Sequence, residues 1–138
     1  MPIRKRKPDA PDTRIVKTQP KDERIRFSFE FFDSSDAVLC PSIFPNGYTH
    51  KLLERLQALS QWKLSDFHST KSKSIRAHTH VWEKTSRPEG YSHLNEQHRD
   101  YPGWQFCLSA NAYGRVHGFM IENIYYVIWL DLNHALYP

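Results

Sequence analysis

The chain is poor in several residues that would narrow its chemistry. It has only two cysteines among 138 residues, Cys40 and Cys107, far apart and without the close spacing of a zinc site. Reduced, partly buried thiols are the expectation, rather than a disulfide or a metal centre. No apolar run approaches the roughly 18 residues a membrane span needs, and the start carries no apolar signal region. The expectation is a soluble, cytoplasmic protein with no membrane partner. Apolar residues make up only 39%, but aromatics reach 14%, which gives much buried area per core residue. At 138 residues the chain is long enough for one domain with a real core and too short for two.

Charge is unevenly spread. Residues 1–26 hold nine of the nineteen Lys and Arg and four of the fifteen Asp and Glu, a net of +5. The rest has ten basic and eleven acidic groups, so the calculated pI of about 9.1 belongs mostly to the N-terminus. Residues 1–23 contain four prolines and almost no apolar side chains, and cannot build a core. They read as a flexible basic arm ahead of a single domain over 24–138. Arg4, Lys5, Arg6 and Lys7 would attract phosphate, or the arm is a solvated tail that keeps the chain soluble.

Within the domain, residues 24–33 alternate Ile25, Phe27, Phe29 and Phe31 with mostly polar neighbours, which predicts a first strand. After a Ser, Asp and Pro loop, Thr49 reads as an N-cap, with Leu52, Leu53, Leu56 and Leu59 on one face of a helix to residue 61. A second short helix begins near Lys63 or Ser65, and the pair would form a helical hairpin over the sheet. Residues 68–100 are polar and basic, with Lys73, Arg76, Lys84 and Arg87 among their cations. Residues 74–82 offer a further strand carrying His78 and His80. That His-x-His pair is half a metal site with no third ligand placed by spacing, and groove-lining histidines near phosphate are the stronger reading.

The last 36 residues organise the rest. Three runs rich in aromatic and β-branched residues are separated by Asn-Ala-Tyr-Gly and Glu-Asn, which predicts an antiparallel meander. Alternation puts Val116, Gly118 and Met120 on one face of the middle strand, and Arg115, His117, Phe119 and Ile121 on the other. The last strand is apolar on both faces, which predicts a central position covered on both sides. Arg115 opens one strand while Asp131, His134 and Tyr137 follow the next. Basic, imidazole and phenol groups should therefore meet at one end of the sheet.

This order of elements resembles the RelE/ParE superfamily of bacterial toxins, nearest to the YoeB-type mRNA interferases. The text that carries the resemblance is Gly103-Trp104, Arg115-Val116-His117-Gly118, Glu122-Asn123, the apolar run 124–130, and His134 with Tyr137. It covers those 36 residues, and the rest by element order alone. The basic arm and a long insert over 74–100 depart from the pattern, as do the two residues between His134 and Tyr137. The resemblance implies an α+β fold in which a small antiparallel sheet is covered by a helical hairpin. It also implies an endoribonuclease toxin acting on mRNA, including ribosome-bound mRNA, and held in check by a small acidic antitoxin protein.

Such cleavage needs a base for the 2′-hydroxyl, a cation for the charge gathering on phosphorus, and an acid for the leaving 5′-oxygen. Arg115 suits the cation and His134 the acid. The resemblance points to Glu89 as base, with Glu96 as the alternative, and Tyr137 would stack on a base or orient the phosphate. Lys73, Arg76, Lys84 and Arg87 would hold RNA together with the arm. The scheme requires no metal and no cofactor. A non-catalytic RNA- or protein-binding module on the same small fold is the competing expectation.

Overall fold

The computed structural model describes residues 23–138, so the basic arm, with Arg4, Lys5, Arg6 and Lys7, lies outside the described residues except for Glu23. The described residues form β1 (Arg26–Ser28), α1 (Tyr48–Leu59), α2 (Leu64–Ser69), β2 (His78–Thr79), α3 (Glu96–Arg99), β3 (Gly103–Cys107), β4 (Arg115–Ile121) and β5 (Ile124–Asp131). The fold is α+β. Among the described residues one five-stranded sheet runs in the order β1-β5-β4-β3-β2.

The meander forms as the turn chemistry predicts: β3 pairs antiparallel with β4, and β4 with β5. Three expectations need correction. The sheet is mixed rather than antiparallel, because β1 runs parallel to β5, with Arg26 opposite Ile124. Side-chain alternation reports which face a residue takes, not the direction of a partner far away in sequence. The first strand is also shorter than residues 24–33. Ser28 Oγ accepts the Glu30 N–H at 3.1 Å, and the Phe32 N–H donates to the Phe29 carbonyl, which turns the chain after Ser28. Finally, the strand expected over residues 74–82 is only the two-residue β2, an edge beyond β3, while β5 lies interior between β1 and β4 as its apolar faces predict.

Helix α1 starts one residue before Thr49, on Gly47 at φ 86°, a left-handed conformation that a side chain would resist. It ends at Leu59 and places Leu56 and Leu59 in the core, while Leu53 stays exposed. Helix α2 starts where Asp66 Oδ2 accepts the Lys63 N–H at 3.0 Å. Its buried Phe67 packs on Trp104, Phe106 and Tyr125, at ring-centroid distances of 5.3, 6.2 and 6.1 Å. Both helices therefore serve the core, through Leu56, Leu59 and Phe67, while Leu53 departs from the face the leucine spacing predicts.

The two faces of the sheet are sorted by one irregularity. His117 pairs with Trp129, but the next residue, Gly118, pairs with Val127, so Ile128 is an extra residue in β5. Such a bulge shifts everything beyond it to the opposite face. Tyr125 and Val127 share the face of Trp104, Phe106 and Phe67, whereas Trp129 and Asp131 share the face of His117 and Arg115. The second face is covered by residues from the irregular segment before β3. Tyr91 lies 5.1 Å from Trp129, and its hydroxyl donates to the Gly118 carbonyl at 2.7 Å. Phe31, Tyr101 and Tyr126 surround Phe119 at 6.0, 6.0 and 5.1 Å. Apolar burial on both sides of β5 thus comes from the bulge as well as from two covered faces.

Gly118 is where the two faces come closest. A Cβ there would collide with the Tyr126 carbonyl oxygen and lie 2.7 Å from the Tyr125 ring. Both are held in place, the ring because its hydroxyl donates to the Trp104 carbonyl at 2.8 Å. Gly118→Ala should therefore destabilise the fold by roughly 1–3 kcal/mol through overpacking. Urea unfolding measures it, and a change below about 0.5 kcal/mol, the range of an ordinary surface substitution, would contradict this packing.

Candidate functional site

The face bearing Arg115 gathers the chain's polar groups into two connected features. The register places His78 opposite Gln105, Gln105 opposite His117, and Arg115 opposite Asp131. Directly opposed residues share a face, so these side chains sit together although they come from four strands.

The first feature is a buried chain of hydrogen bonds. Asp131 is 1% exposed and accepts three of them: from the Ala135 N–H at 2.8 Å, from the Leu136 N–H at 3.0 Å, and from His117 Nε2 at 2.9 Å. Burial alone would raise this carboxyl, but the hydrogen bonds outweigh it and hold its pKa below the usual value. An ionised Asp131 sets the tautomers of both histidines beyond it. His117 must carry its proton on Nε2, so in the neutral ring Nδ1 is an acceptor, and His80 Nε2–H donates to it at 3.1 Å. His80 Nδ1 is then an acceptor too and takes the Tyr137 hydroxyl proton at 3.1 Å. The Tyr137 oxygen in turn accepts the Val81 N–H at 3.1 Å. Each donor meets an acceptor along the whole series.

Neutral rings are what this environment demands. Burial, followed by the neighbouring His117 and His78, pushes the His80 pKa down to about 2. Burial also lowers His117, and the Asp131 carboxylate only partly offsets it. Space for the series comes from Gly103, where a Cβ would lie 2.8 Å from the His80 ring and 2.6 Å from Trp82. The tail is stitched down beside it, with the Ser86 N–H on the Leu136 carbonyl at 2.8 Å and Ser86 Oγ on that of Ala135 at 2.7 Å.

The second feature is an open depression of about 440 Å³ lined by Thr70, Lys71, Ser72, Lys73, Arg76, Ala77, His78, Gln105 and Arg115. Among the described residues four cations line it, and no carboxylate does. Residues 27–138 carry a net charge of −1, so this is a local excess rather than a general one. A tight turn presents the cations. The Arg76 N–H donates to the Ser72 carbonyl at 2.8 Å, and the Cys107 N–H to that of Ile75 at 2.6 Å. Arg55 Nη2 clamps the Ser74 and Leu108 carbonyls, each at 3.0 Å. Arg76 itself sits at φ 49°, a left-handed conformation costly outside glycine, and its Nε donates to the Lys73 carbonyl at 2.9 Å. Beneath these groups, both amide atoms of Gln105 and Nε of Arg115 are buried without a hydrogen-bond partner among the described residues.

The structure brings together some of the residues the sequence singled out and separates others. Arg115, Lys73 and Arg76 meet in the depression. Tyr137 joins the buried series, with its ring 6.2 Å from that of His78. His134 is exposed at φ 57° in the turn after β5 and does not line the depression. Glu89 and Glu96 line a different hollow, with Arg99 and Asp100. Lys84 is exposed on a single 3-10 turn, Trp82–Lys84. Arg87 is committed to Asp36, with Nε on Oδ2 at 2.9 Å and Nη2 on Oδ1 at 3.1 Å. Sequence reasoning missed Gln105 and missed His117 as a site residue. The available signal was parity, since His117 alternates with Arg115 and a strand-length β3 puts Gln105 across from it.

Among the described residues, no group of three or more His, Cys, Asp or Glu could hold a metal ion, and no helix is long and apolar enough to cross a membrane. Cys40 and Cys107 are free and buried. No protein-family model, curated protein or solved structure matches the chain.

The lowered histidines make stability depend on pH. Both bind protons less readily in the fold than in the unfolded chain, where the imidazole value is about 6.5. Their contribution is complete above that value and drains as pH falls below it, at up to roughly 1.4 kcal/mol per pH unit for each proton taken up on unfolding. The melting temperature should hold steady from pH 8 to 7 and fall between 6.5 and 5, and the fall should be shallower in His80→Gln. Equal melting temperatures at pH 7 and pH 5 would show that the histidines do not form this neutral series.

Proposed function

We propose that the chain binds RNA through the basic depression, holding its phosphate backbone. The observation that carries this reading is the convergence of Lys71, Lys73, Arg76 and Arg115 around a hollow that no carboxylate lines among the described residues. Phosphate contacts from Lys and Arg supply most of the affinity for nucleic acid, and Arg matches two phosphate oxygens at once. The aromatic rings of His78 and Tyr137 beside the cations offer surfaces on which an unstacked base can lie, as single-stranded RNA recognition requires. A hollow of about 440 Å³ suits one nucleotide of a longer strand.

A second reading is favoured by His78, an exposed imidazole lining the same hollow as Arg115. In it the chain is a metal-independent endoribonuclease of the RelE/ParE toxin kind. Arg115 stabilises the charge on phosphorus, and His78 takes the part of leaving-group acid expected of His134. Glu89 and Glu96 lie in another hollow, so the 2′-hydroxyl proton passes to water. The small acidic antitoxin of this reading would cover the cations and exclude RNA. Toxicity on expression, relieved by His78→Gln, is its signature, with RNA cleavage that persists in EDTA.

Arg115→Ala and Lys73→Ala should each weaken binding of a single-stranded oligoribonucleotide across sequences. Each should also reduce the slope of log affinity against log salt by about one counterion. Fluorescence anisotropy at several salt concentrations measures both. Unchanged affinity and slope in the two variants would overturn the proposal. RNA cleaved by wild type and not by His78→Gln would select the enzyme.

A further inference from the structure

We propose that Gln105 makes this site select RNA over DNA by reading the ribose 2′-hydroxyl, an inference that rests on the RNA-binding reading above. Gln105 is fully buried in the middle of β3, yet neither its Nε2 nor its Oε1 has a hydrogen-bond partner among the described residues. The same is true of Arg115 Nε, and both residues line the one basic hollow. A fold rarely leaves three such atoms unmatched side by side, because each loses its water without compensation. Their pattern specifies a ligand. Two of them, Gln105 Nε2 and Arg115 Nε, are donors and suit an anion, but Gln105 Oε1 is an acceptor. A bare phosphodiester carries no proton to give it, so DNA backbone alone would leave Oε1 unmatched.

One ribonucleotide linkage matches all three. Its phosphate oxygens accept from Arg115 Nε and Gln105 Nε2, while the adjacent 2′-hydroxyl donates to Gln105 Oε1. The hydroxyl and the 3′-phosphate sit on neighbouring ribose carbons, so one nucleotide presents both at once. The amide lies just below the hollow, and its register partner across β2 and β3 is His78, which lines the same hollow. That ring is exposed, and its one hydrogen bond runs from Nδ1 to the neighbouring Thr79 carbonyl at 2.8 Å, so rotating it aside costs little. The contact uses no base edge, and the preference is accordingly independent of sequence.

The test compares three oligonucleotides of one sequence, as RNA, as DNA and as 2′-O-methyl RNA, against wild type and Gln105→Met, which keeps the length of the side chain and removes its polar atoms. Wild type should favour RNA over DNA by on the order of tenfold, the weight of one hydrogen bond to an otherwise unmatched group. The 2′-O-methyl strand, which has no proton to donate, should bind like DNA. In Gln105→Met the RNA-to-DNA ratio should fall to about one. Removing an unmatched buried amide should not lower the melting temperature, so loss of the ratio would not be loss of the fold. Equal binding of RNA and DNA by wild type, or a ratio that survives Gln105→Met, would overturn the assignment of Gln105 while leaving phosphate binding intact. No binding of any strand would overturn both readings.

Discussion

Asp131 is a buried carboxylate at the end of an apolar strand, and the polar face of this protein is built by satisfying it. An unmatched carboxylate in such surroundings would cost several kcal/mol. The chain meets the demand with two backbone N–H groups of its own tail and the Nε2–H of His117. That solution needs Asp131 and His117 on the same face, which the extra residue Ile128 provides. It also commits His117 and His80 to one neutral arrangement that ends on Tyr137 and the Val81 N–H. Bulge, histidines, tail and the strand ending before Val81 are in this sense one structure. The series fixes where β2 lies, and β2 carries His78 into the basic hollow.

The two features on this face divide the labour between order and exposure. The buried series is saturated with hydrogen bonds, and only its Tyr137 end approaches the open site. The hollow beside it is the opposite case, with cations gathered against their mutual repulsion and three buried polar atoms left without partners. Groups that disfavour one another in the free protein, held by a turn clamped to Arg55, are the usual mark of a site whose ligand supplies what is missing.

Much of the fold was legible in the sequence because its signals are local. Turn residues at 111–114 and 122–123 set the meander, and leucine spacing set α1. Alternation also put His117 on Arg115's side. What escaped was non-local. A bulge leaves no trace in a β5 that is apolar at both parities, so the switch of Trp129 and Asp131 to the other face could not be read. The parallel pairing of β1 joins residues about a hundred positions apart, where nothing in the pattern states direction. For the site, Arg115, Lys73 and Arg76 were readable as cations near a strand end. Glu89 was placed by resemblance and His134 by hairpin register, and the irregular segment and tail carry them elsewhere. For Gln105 parity gives the face and no more, since its importance lies in what fails to surround it.

The central claim is that RNA touches the molecule at the basic hollow. Amide chemical shifts of the isotopically labelled chain, followed by NMR as a short single-stranded oligoribonucleotide is added, measure that location. The expected result is a set of shifts concentrated at residues 71–78 and at Gln105 and Arg115, with α1 and the hollow around Glu89 and Glu96 unmoved. Shifts confined to residues 1–22, or to the Glu89 hollow, would contradict the claim that the basic hollow is the site.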